Sequence, residues 1–478
     1  MYENNSMPKR PSRENPSQRK GSADLTDPPP KRKRKMKVEE LLQIQNLEIS
    51  AEPEPEPEAQ PEPLPPPPIK ITPLLPLTKK ELIYFKKLSV SQQINLNKRM
   101  ESLQNFTDDS DTPLKFRILD LPVTDYVKSN VMKKIKLLEE DSGEHYKLKN
   151  WVDAFLKIPF GKTIPLPVIL EDGKEKCSEF LQSSRRILDK AVYGMLNAKT
   201  QIMQVISQWI ANPDSSGNVI ALQGPIGVGK TSIAKNGISK ALCRPFEFFS
   251  LGGASDVANY TGHSYTYEGS MWGRIVDSLM HAKCMNPVLY FDELDKISGT
   301  PHGEEIASML IHLTDKTQNS QFHDRYFSGI DIDLSKCLFV FSFNDINLIN
   351  PILRDRMQVI NCGGYSQKEK QTILEEYVWP ELLKRLRFLP EDIILGETSK
   401  FLISEYSYKE QGVRTLIRTA EMLVTRLNML RIADEETMKD YKFYLHVEFP
   451  LQLNISIIKK LLFDYGQKEY EPWRTMYN

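Results

Sequence analysis

Apolar and polar positions divide the chain into stretches of different period. Up to about residue 75 there is no period: PKRPSRENPSQRKGSADLTDPPPKRKRKMK and EPEPEPEAQPEPLPPPP carry few apolar side chains, so little burial could offset the entropy lost on ordering. A disordered tail is expected over 1–75, its prolines favouring extended, polyproline-like conformations. From about residue 76 apolar residues recur at helical spacing in ELIYFKKLSVSQQINLNKRMESLQNF and DYVKSNVMKKIKLLEED. Helices are also read in YKLKNWVDAFLKIPFGK and SSRRILDKAVYGMLNAKTQIMQVISQWIA, the second closed by a turn over 212–217 (NPDSSG).

Short apolar runs follow: NVIALQG, PFEFFSLGG, residues 288–291 of NPVLYFDELDK, KCLFVFSFND and MQVINCGG. Each reads as a strand, and polar groups at strand C-termini are where an open α/β sheet binds its ligand. Beyond Ser366, whose S-x-x-E spacing to Glu369 forms a capping box, the pattern turns helical again. In EQGVRTLIRTAEMLVTRLNML the residues Val413, Ile417, Ala420, Val424 and Leu427 share one helical face, and Arg414 begins that helix.

The chemistry sits at the strand ends. NVIALQG runs into GPIGVGKT and then a helical SIAKNGISKAL, the order strand, glycine loop, helix that a phosphate cradle requires. Gly224, Gly227 and Gly229 let the backbone approach phosphate, Lys230 supplies a cation to the β/γ-phosphates, and the Thr231 hydroxyl is the expected magnesium ligand. With Val228 and Ser232 these residues form the nucleotide-binding set, and ATP with Mg2+ is the expected cofactor pair. Strand 288–291 ends in two carboxylates: Asp292 can hold the metal's water shell, and Glu293 can orient and polarise the attacking water. An acidic pair after a strand is ordinary surface when alone. At this distance after a P-loop it is a Walker B, and the intact glutamate argues for hydrolysis rather than mere binding. Asn344 is either a strand-end turn residue or a sensor of γ-phosphate, and its order after the acidic pair favours the sensor.

Composition adds bounds. The 478 residues, 40% hydrophobic, suffice for two or three domains with tails, and 63 basic side chains balance 63 acidic ones. The balance is local as well as global: basic residues outnumber acidic ones up to residue 37, whereas Glu52, Glu54, Glu56, Glu58 and Glu62 follow. The cluster Lys31 to Lys35 resembles a monopartite nuclear-import signal, with a solubilising charge run or a loose phosphate-binding arm as the alternatives. The five cysteines form no Cys-x-x-Cys pair, so neither a disulfide framework nor a zinc site is suggested, and a reducing compartment fits. Neither a signal-peptide core nor a run of roughly 18 to 20 apolar residues is present. An intracellular protein with no membrane partner is expected, nuclear if the basic cluster is read as an address and cytoplasmic otherwise.

From about Tyr193-Gly194-Met195 to about Asn428, several unusual words stand in one order: GPIGVGKTSIAK, the GG-x6-GH-x-x-TY-x-GSM spacing, DELDK, LTDKTQN, DLSKCLFVFSFN, LRDRM and GVRTL. Together they resemble the AAA+ module of Lon, the ATP-dependent protease. More distantly, WVDAFLKIPFGK looks like the short helical segment before that module, and ISIIKKLLFDYG like the linker after it. The resemblance implies an α/β fold: a P-loop AAA+ core with a five-stranded parallel sheet and helices on both faces, plus a small helical lid, assembled as a homo-oligomeric, hexameric ring. The expected division is a basic then acidic, proline-rich tail over 1–75, a helix-rich region over 76–185, the nucleotide-binding subdomain over 186–364, the lid over 365–440 and a linker-like extension over 441–478.

The resemblance also implies roles. Tyr193 and Gly194 would border the adenine, Asn344 would be sensor 1, Arg356 the finger reaching the neighbouring subunit's nucleotide, and Arg414 sensor 2 from the lid; Glu293 and Lys230 complete the catalytic set. For Arg356 the alternative is a structural salt bridge, with Arg354 as a rival finger. In HSYTYEGSMWG, residues 263–273, Tyr267 falls on the aromatic that grips substrate in the central pore, core packing being the alternative. Glu268 stands where Lon normally has an aliphatic residue and Trp272 where it has proline. A carboxylate beside the gripping tyrosine favours basic polypeptide segments and repels a phosphate backbone.

Departures shape the functional expectation. Lon continues into a peptidase domain with a serine and lysine pair, whereas this chain ends at EPWRTMYN, close to where that domain would begin. No such dyad can be assigned, and proteolysis by this chain alone is not expected unless a separate subunit supplies the active site. Lon's N-terminal substrate-binding domain is not recognisable, and Ile226 stands where Lon usually has proline. An ATP-dependent AAA+ ATPase that remodels or unfolds a polypeptide client as a ring is therefore expected. A nucleic-acid-associated AAA+ ATPase using the basic arm, an ATPase subunit of a separate protease, and a non-enzymatic scaffold stabilised by nucleotide are the alternatives. Intact Lys230, Glu293 and Asn344 count against the scaffold, and the absence of an arginine-rich, aromatic-interleaved patch counts against nucleic acid.

Overall fold

A computed structural model of the chain describes residues 71–74, 77–104, 112–139, 145–213, 219–253, 256–267, 269–297 and 299–464. Almost all of the tail expected over 1–75, with its basic cluster, most of the turn over 212–217, and Glu268 lie outside these residues. The helices Lys79–Lys87 and Val90–Gln104 belong to one compact unit, and residues from 112 onward to a second. In the first unit the Thr78 backbone N–H and hydroxyl donate to the Glu81 carboxylate at 2.8 and 2.7 Å, which gives the opening turn of its helix a capping partner.

The second unit is built around strands β1 (Val219–Gln223), β2 (Phe246–Ser250), β3 (Val288–Asp292), β4 (Phe322–His323), β5 (Asp331–Ile332), β6 (Leu338–Phe343), β7 (Gln358–Asn361), β8 (Ile393–Leu395) and β9 (Leu451–Leu453). Five of them form one all-parallel sheet in the order β2-β3-β6-β1-β7, β4 and β5 form a small antiparallel pair, and β8 and β9 a parallel pair. The central strands β1, β3 and β6 are near-continuous apolar runs because both their faces are covered.

Side chains two apart in a strand share a face, and that alternation sorts the sheet into two cores. Val219, Ala221, Leu289, Phe291, Phe339 and Phe341 enter one; Ile220, Leu222, Val288, Tyr290, Leu338 and Val340 enter the other. The first core also contains Ile118, Val127, Val131 and Ile135 from the helices Leu114–Leu119 and Asp125–Glu139, and Trp151 and Phe155 from His145–Lys157. These three helices therefore cover one face of the sheet. Trp151 stacks on Phe155 at 5.4 Å and its indole N–H donates to the Tyr326 carbonyl at 3.0 Å. The second core is closed by Lys174–Ala191 and Leu196–Ala211, which break apart at Gly194 and Met195, both of positive φ.

A third core holds the helical lid, and it extends past residue 440: Phe443, Leu453, Ile458 and Leu461 are buried in it because β9 pairs with β8 and brings the following helix against Glu397–Glu405. The Ser366 capping box forms as the sequence suggests. The buried stripe of Arg414–Ile432 differs from the expected one: Leu416, Thr419, Ala420, Leu423, Val424 and Leu427 are buried, whereas Ile417 is 38% exposed. The helix turns Ile417 toward a cavity between lid and sheet, and half-buried Val413 lines that cavity at the edge of the lid core. No helix among the described residues is long and apolar enough to cross a membrane.

Candidate active site

The cavity, about 870 Å³, opens at the C-terminal ends of β1, β3 and β6, with the lid as its far wall. After β1 the chain turns through Gly227 (φ 81°) and Gly229 (φ 102°), left-handed conformations that favour glycine and suit a loop presenting successive N–H groups to an anion. A helix then starts at Lys230 and widens to a π-turn over Ile233–Ile238, so its N-terminal dipole adds to the same positive field. Gly227, Val228, Gly229, Lys230, Thr231, Ser232 and Tyr193 all line the cavity. Gly224 and Gly194 do not. A Cβ at Gly224 would lie 2.2 Å from the Cys362 carbonyl oxygen, so that glycine permits close packing of β1 on β7, while its own carbonyl receives Lys230.

Lys230 Nζ donates to the carbonyls of Gly224 at 2.6 Å and Pro225 at 3.0 Å and to Asn344 Oδ1 at 2.8 Å. Burial holds its pKa below the ordinary lysine value, with Cys362, Asp292 and Asp295 opposing the shift. The expected cation and sensor are thus already in contact. Asn344 is placed by Asp295, a buried carboxylate whose Oδ2 accepts from the backbone N–H groups of Asn344 at 3.2 Å and Asp345 at 3.4 Å. Asp295 ties the turn after β3 to the end of β6.

Asp292 Oδ1 accepts from Ser342 Oγ and, at 3.2 Å, from Tyr290 Oη, which also bonds Thr231 Oγ1 at 3.0 Å. Burial pushes the Tyr290 phenol far up. Glu293 is exposed at the cavity, with φ 61°, a strained value for a side-chain-bearing residue. Among the described residues no group of three or more His, Cys, Asp or Glu could hold a metal ion. One hydroxyl and one carboxylate, Thr231 and Asp292, nevertheless fit Mg2+, which takes few protein oxygens and completes its shell with water and substrate phosphates.

The lid reaches the P-loop directly. Val413 N–H donates to the Gly227 carbonyl at 3.1 Å, and Arg414, next in the chain, lines the cavity. Tyr365 Oη donates to the Val228 carbonyl at 2.9 Å, and Tyr193 meets Tyr377 edge-on at 6.0 Å at the cavity wall. Arg356 lies elsewhere: it is absent from the cavity lining, and its Nη1 donates to the Ile311 carbonyl at 2.6 Å while Nη2 pairs with Asp315 at 3.0 Å. Arg354 is exposed.

The loop 263–273 is anchored at both ends. Tyr265 packs edge-on against Tyr326 at 5.7 Å, with Lys134 and Lys147 over its ring at 4.7 and 4.9 Å. Trp272 lies against Phe327 and donates its indole N–H to Asp277 at 3.0 Å. Buried Asp324 accepts from the backbone N–H groups of Gly273 and Tyr326, each at 2.8 Å. Tyr267, between the anchors, is 69% exposed.

Tyr290, Ser342, Asp295 and Tyr365 were not singled out from the sequence. Tyr290 and Ser342 carried a usable signal, each the one hydroxyl in an apolar strand run and two residues before a site residue, Asp292 and Asn344.

A P-loop, an acidic strand end and a polar sensor converging on one cavity of a five-stranded parallel sheet, with a helical lid docked on the P-loop, define an AAA+ ATPase module. Residues 220–364 match the family described as "ATPase family associated with various cellular activities (AAA)". A Lon protease homolog of Acanthamoeba polyphaga mimivirus is 35% identical over 369 residues, 74% of this chain and 35% of that protein. Lon protease 1 of Bacillus subtilis (strain 168) is 31% identical over 385 residues, 79% of this chain and 47% of its own length. A solved chain titled "Closed State CryoEM Reconstruction of Hsp104:ATPyS and FITC casein" matches with TM-score 0.44 and 18% identity over 54% of this chain and 49% of its own. The module is Lon-like, and the chain spans less than half the length of these Lon relatives.

Proposed function

We propose that the module binds ATP with Mg2+, hydrolyses it, and uses the cycle to remodel or unfold a polypeptide as a homo-oligomeric, hexameric ring, without cutting the client itself. The observation that carries this reading is the placement of Glu293 at a cavity whose other walls are Lys230, Asn344, Asp292 and Arg414. Binding alone has no use for a carboxylate held in a strained conformation beside the metal ligands; activating water does. Thr231 and Asp292 would hold the magnesium ion, which, when bound, neutralises charge on the β- and γ-phosphates. Lys230 and Asn344 orient the γ-phosphate, Arg414 couples the lid to it, and Tyr193 borders the base. Arg356 serves the neighbouring subunit's nucleotide.

Tyr267 supports the polypeptide part of the reading, since an exposed aromatic on a loop anchored at both ends offers a contact face without demanding a particular sequence. Glu268 beside it biases the grip toward basic segments. The test is Glu293→Gln: it should retain ATP and accumulate as a nucleotide-bound ring while turnover is lost. Unfolded protein should stimulate the wild-type rate and leave the incubation at full length. Stimulation by DNA alone, falling steeply with salt, would replace the polypeptide client with nucleic acid; a client cut by the purified chain would overturn the part about cleavage.

A further inference from the structure

We propose that Tyr290 is the positioning residue of the magnesium site, joining Thr231 and Asp292 in one hydrogen-bonded chain that fixes which lone pairs each presents to the cavity. The inference rests on the magnesium and ATP reading above, because it concerns the two residues that would hold the metal.

Tyr290 and Asp292 are two apart on β3 and project from the same face, the one covered by the P-loop helix. The ring is fully buried and held by Phe246 at 5.5 Å and Phe248 at 5.8 Å, so the hydroxyl is delivered to a fixed point. That point lies 3.0 Å from Thr231 Oγ1 and 3.2 Å from Asp292 Oδ1. Proton assignment follows from donor capacity. A carboxylate only accepts, and a phenol has one proton to give, so Tyr290 donates to Asp292 and its oxygen accepts from Thr231. The Thr231 proton is thereby turned toward the sheet, leaving that hydroxyl's lone pairs for a cation.

The same bond fixes Asp292. Its Oδ1 takes both Tyr290 Oη and Ser342 Oγ, which leaves Oδ2 with spare acceptor capacity for the metal's water shell. A helical threonine divides between two χ1 rotamers when nothing selects one, and a carboxylate held by a single donor can rotate. Tyr290 removes both freedoms at once, and it touches neither nucleotide nor metal itself.

A role confined to packing predicts that loss of the hydroxyl weakens all nucleotide binding equally or none of it. A positioning role predicts a loss seen only with the metal. Tyr290→Phe therefore separates them, with a fluorescent ATP analogue titrated in EDTA and again across a range of Mg2+ concentrations. The EDTA affinity should stay within about twofold of wild type, while the Mg2+ concentration giving half of the tight binding should rise about tenfold, the scale on which partners of metal ligands act. Tyr290→Phe keeps the ring between Phe246 and Phe248, and thermal unfolding with nucleotide serves as a second readout: added Mg2+ should raise the wild-type midpoint more than the variant's. Wild-type Mg2+ dependence in a folded variant overturns the inference alone. A wild-type chain that binds the analogue with no Mg2+ dependence overturns the magnesium reading and this inference together.

Discussion

Arg356 is locked to Asp315: Nη2 lies 3.0 Å from the carboxylate, and Nη1 donates to the Ile311 carbonyl at 2.6 Å. Within one chain the guanidinium is thus a strut between Pro351–Asp355 and the end of Pro301–Thr314. A strut of this kind can still serve a neighbour, because a guanidinium has five donors and these two bonds leave others. Arg356→Ala should keep nucleotide but lose turnover, by a factor on the order of 10³ if it acts as arginine fingers do in P-loop enzymes generally. Steady-state hydrolysis with a binding titration checks this. Exposed Arg354 is the comparison, and an inactive Arg354→Ala beside a fully active Arg356→Ala would transfer the role to it.

Asp324 gives the folded protein a pH dependence of unusual sign. Burial pushes its carboxyl up to about 6, from an ordinary value near 3.8, although backbone N–H groups of Gly273, Tyr326 and Phe327 pull the other way. The folded state therefore holds a proton that the unfolded chain has already released between those two values. The associated stability is complete below about pH 3.8 and is lost as pH rises through about 6. Acidifying from pH 7 to 5 should stabilise the fold through this group by about 1 kcal/mol. Denaturant unfolding of wild type and Asp324→Asn at the two pH values checks it: wild type should gain on the variant as pH falls. Parallel behaviour would assign the slope to other groups.

Much of this site was legible in the sequence, and what was not has a physical explanation. Gly227 to Thr231, Asp292, Glu293 and Asn344 could be placed because a strand pattern fixes where a run ends, and strand ends point at one edge of the sheet. Tyr290 was hidden by the same rule, since an aromatic within an apolar run reads as core. It is core, with a hydroxyl at its tip. Ile417 was misplaced because the lid helix is apolar on two sides, one for its own core and one for the cavity, and a single helical period does not divide them. Trp151 and Phe155 gave an apolar stripe without naming the surface it covers, which here is the sheet itself. Asp295 looked like one more charge in DELDK, and only the return of β6 supplies the two N–H groups that give it a role.

The loop 263–273 separates anchoring from contact. Trp272 packs on Phe327 and bonds Asp277, so Trp272→Ala should lower stability by about 2 kcal/mol or more, less than a fully buried tryptophan because this one is half-buried. Tyr267, 69% exposed, should change stability by no more than about 0.5 kcal/mol on substitution by alanine. Yet Tyr267→Ala is the variant expected to abolish stimulation by unfolded protein while leaving basal ATP hydrolysis intact. Thermal unfolding and client-stimulated turnover, measured on both, check the pair. A Tyr267→Ala protein with unaltered stimulation would remove that tyrosine from substrate contact.

Docking of the lid depends on Gly412. A Cβ there would lie 2.1 Å from the Ile226 carbonyl oxygen and 2.7 Å from the Gly227 carbonyl carbon, both backbone atoms of the P-loop, so no side chain can yield to make room. Gly412→Ala must therefore move the loop before Arg414–Ile432 away from the P-loop, and the bond from Val413 N–H to the Gly227 carbonyl goes with it. Arg414 follows directly and is carried from the cavity. The lid's fully buried core residues should stay together, because none of them lies in the loop at Gly412 and only half-buried Val413 shifts at the core's edge. If the docked arrangement falls to about a tenth of the population, apparent nucleotide affinity falls about tenfold, since only the docked fraction binds fully. Gly396→Ala is the control: its added methyl meets nothing within 4 Å, and as the N-cap of Glu397–Glu405 it should cost the lid about 1 kcal/mol or less while leaving the P-loop contact alone. Nucleotide titrations on both variants, with circular dichroism to confirm the lid helices, make the comparison. Wild-type affinity in Gly412→Ala would mean that the P-loop holds nucleotide without the lid, and that Arg414 contributes nothing to binding.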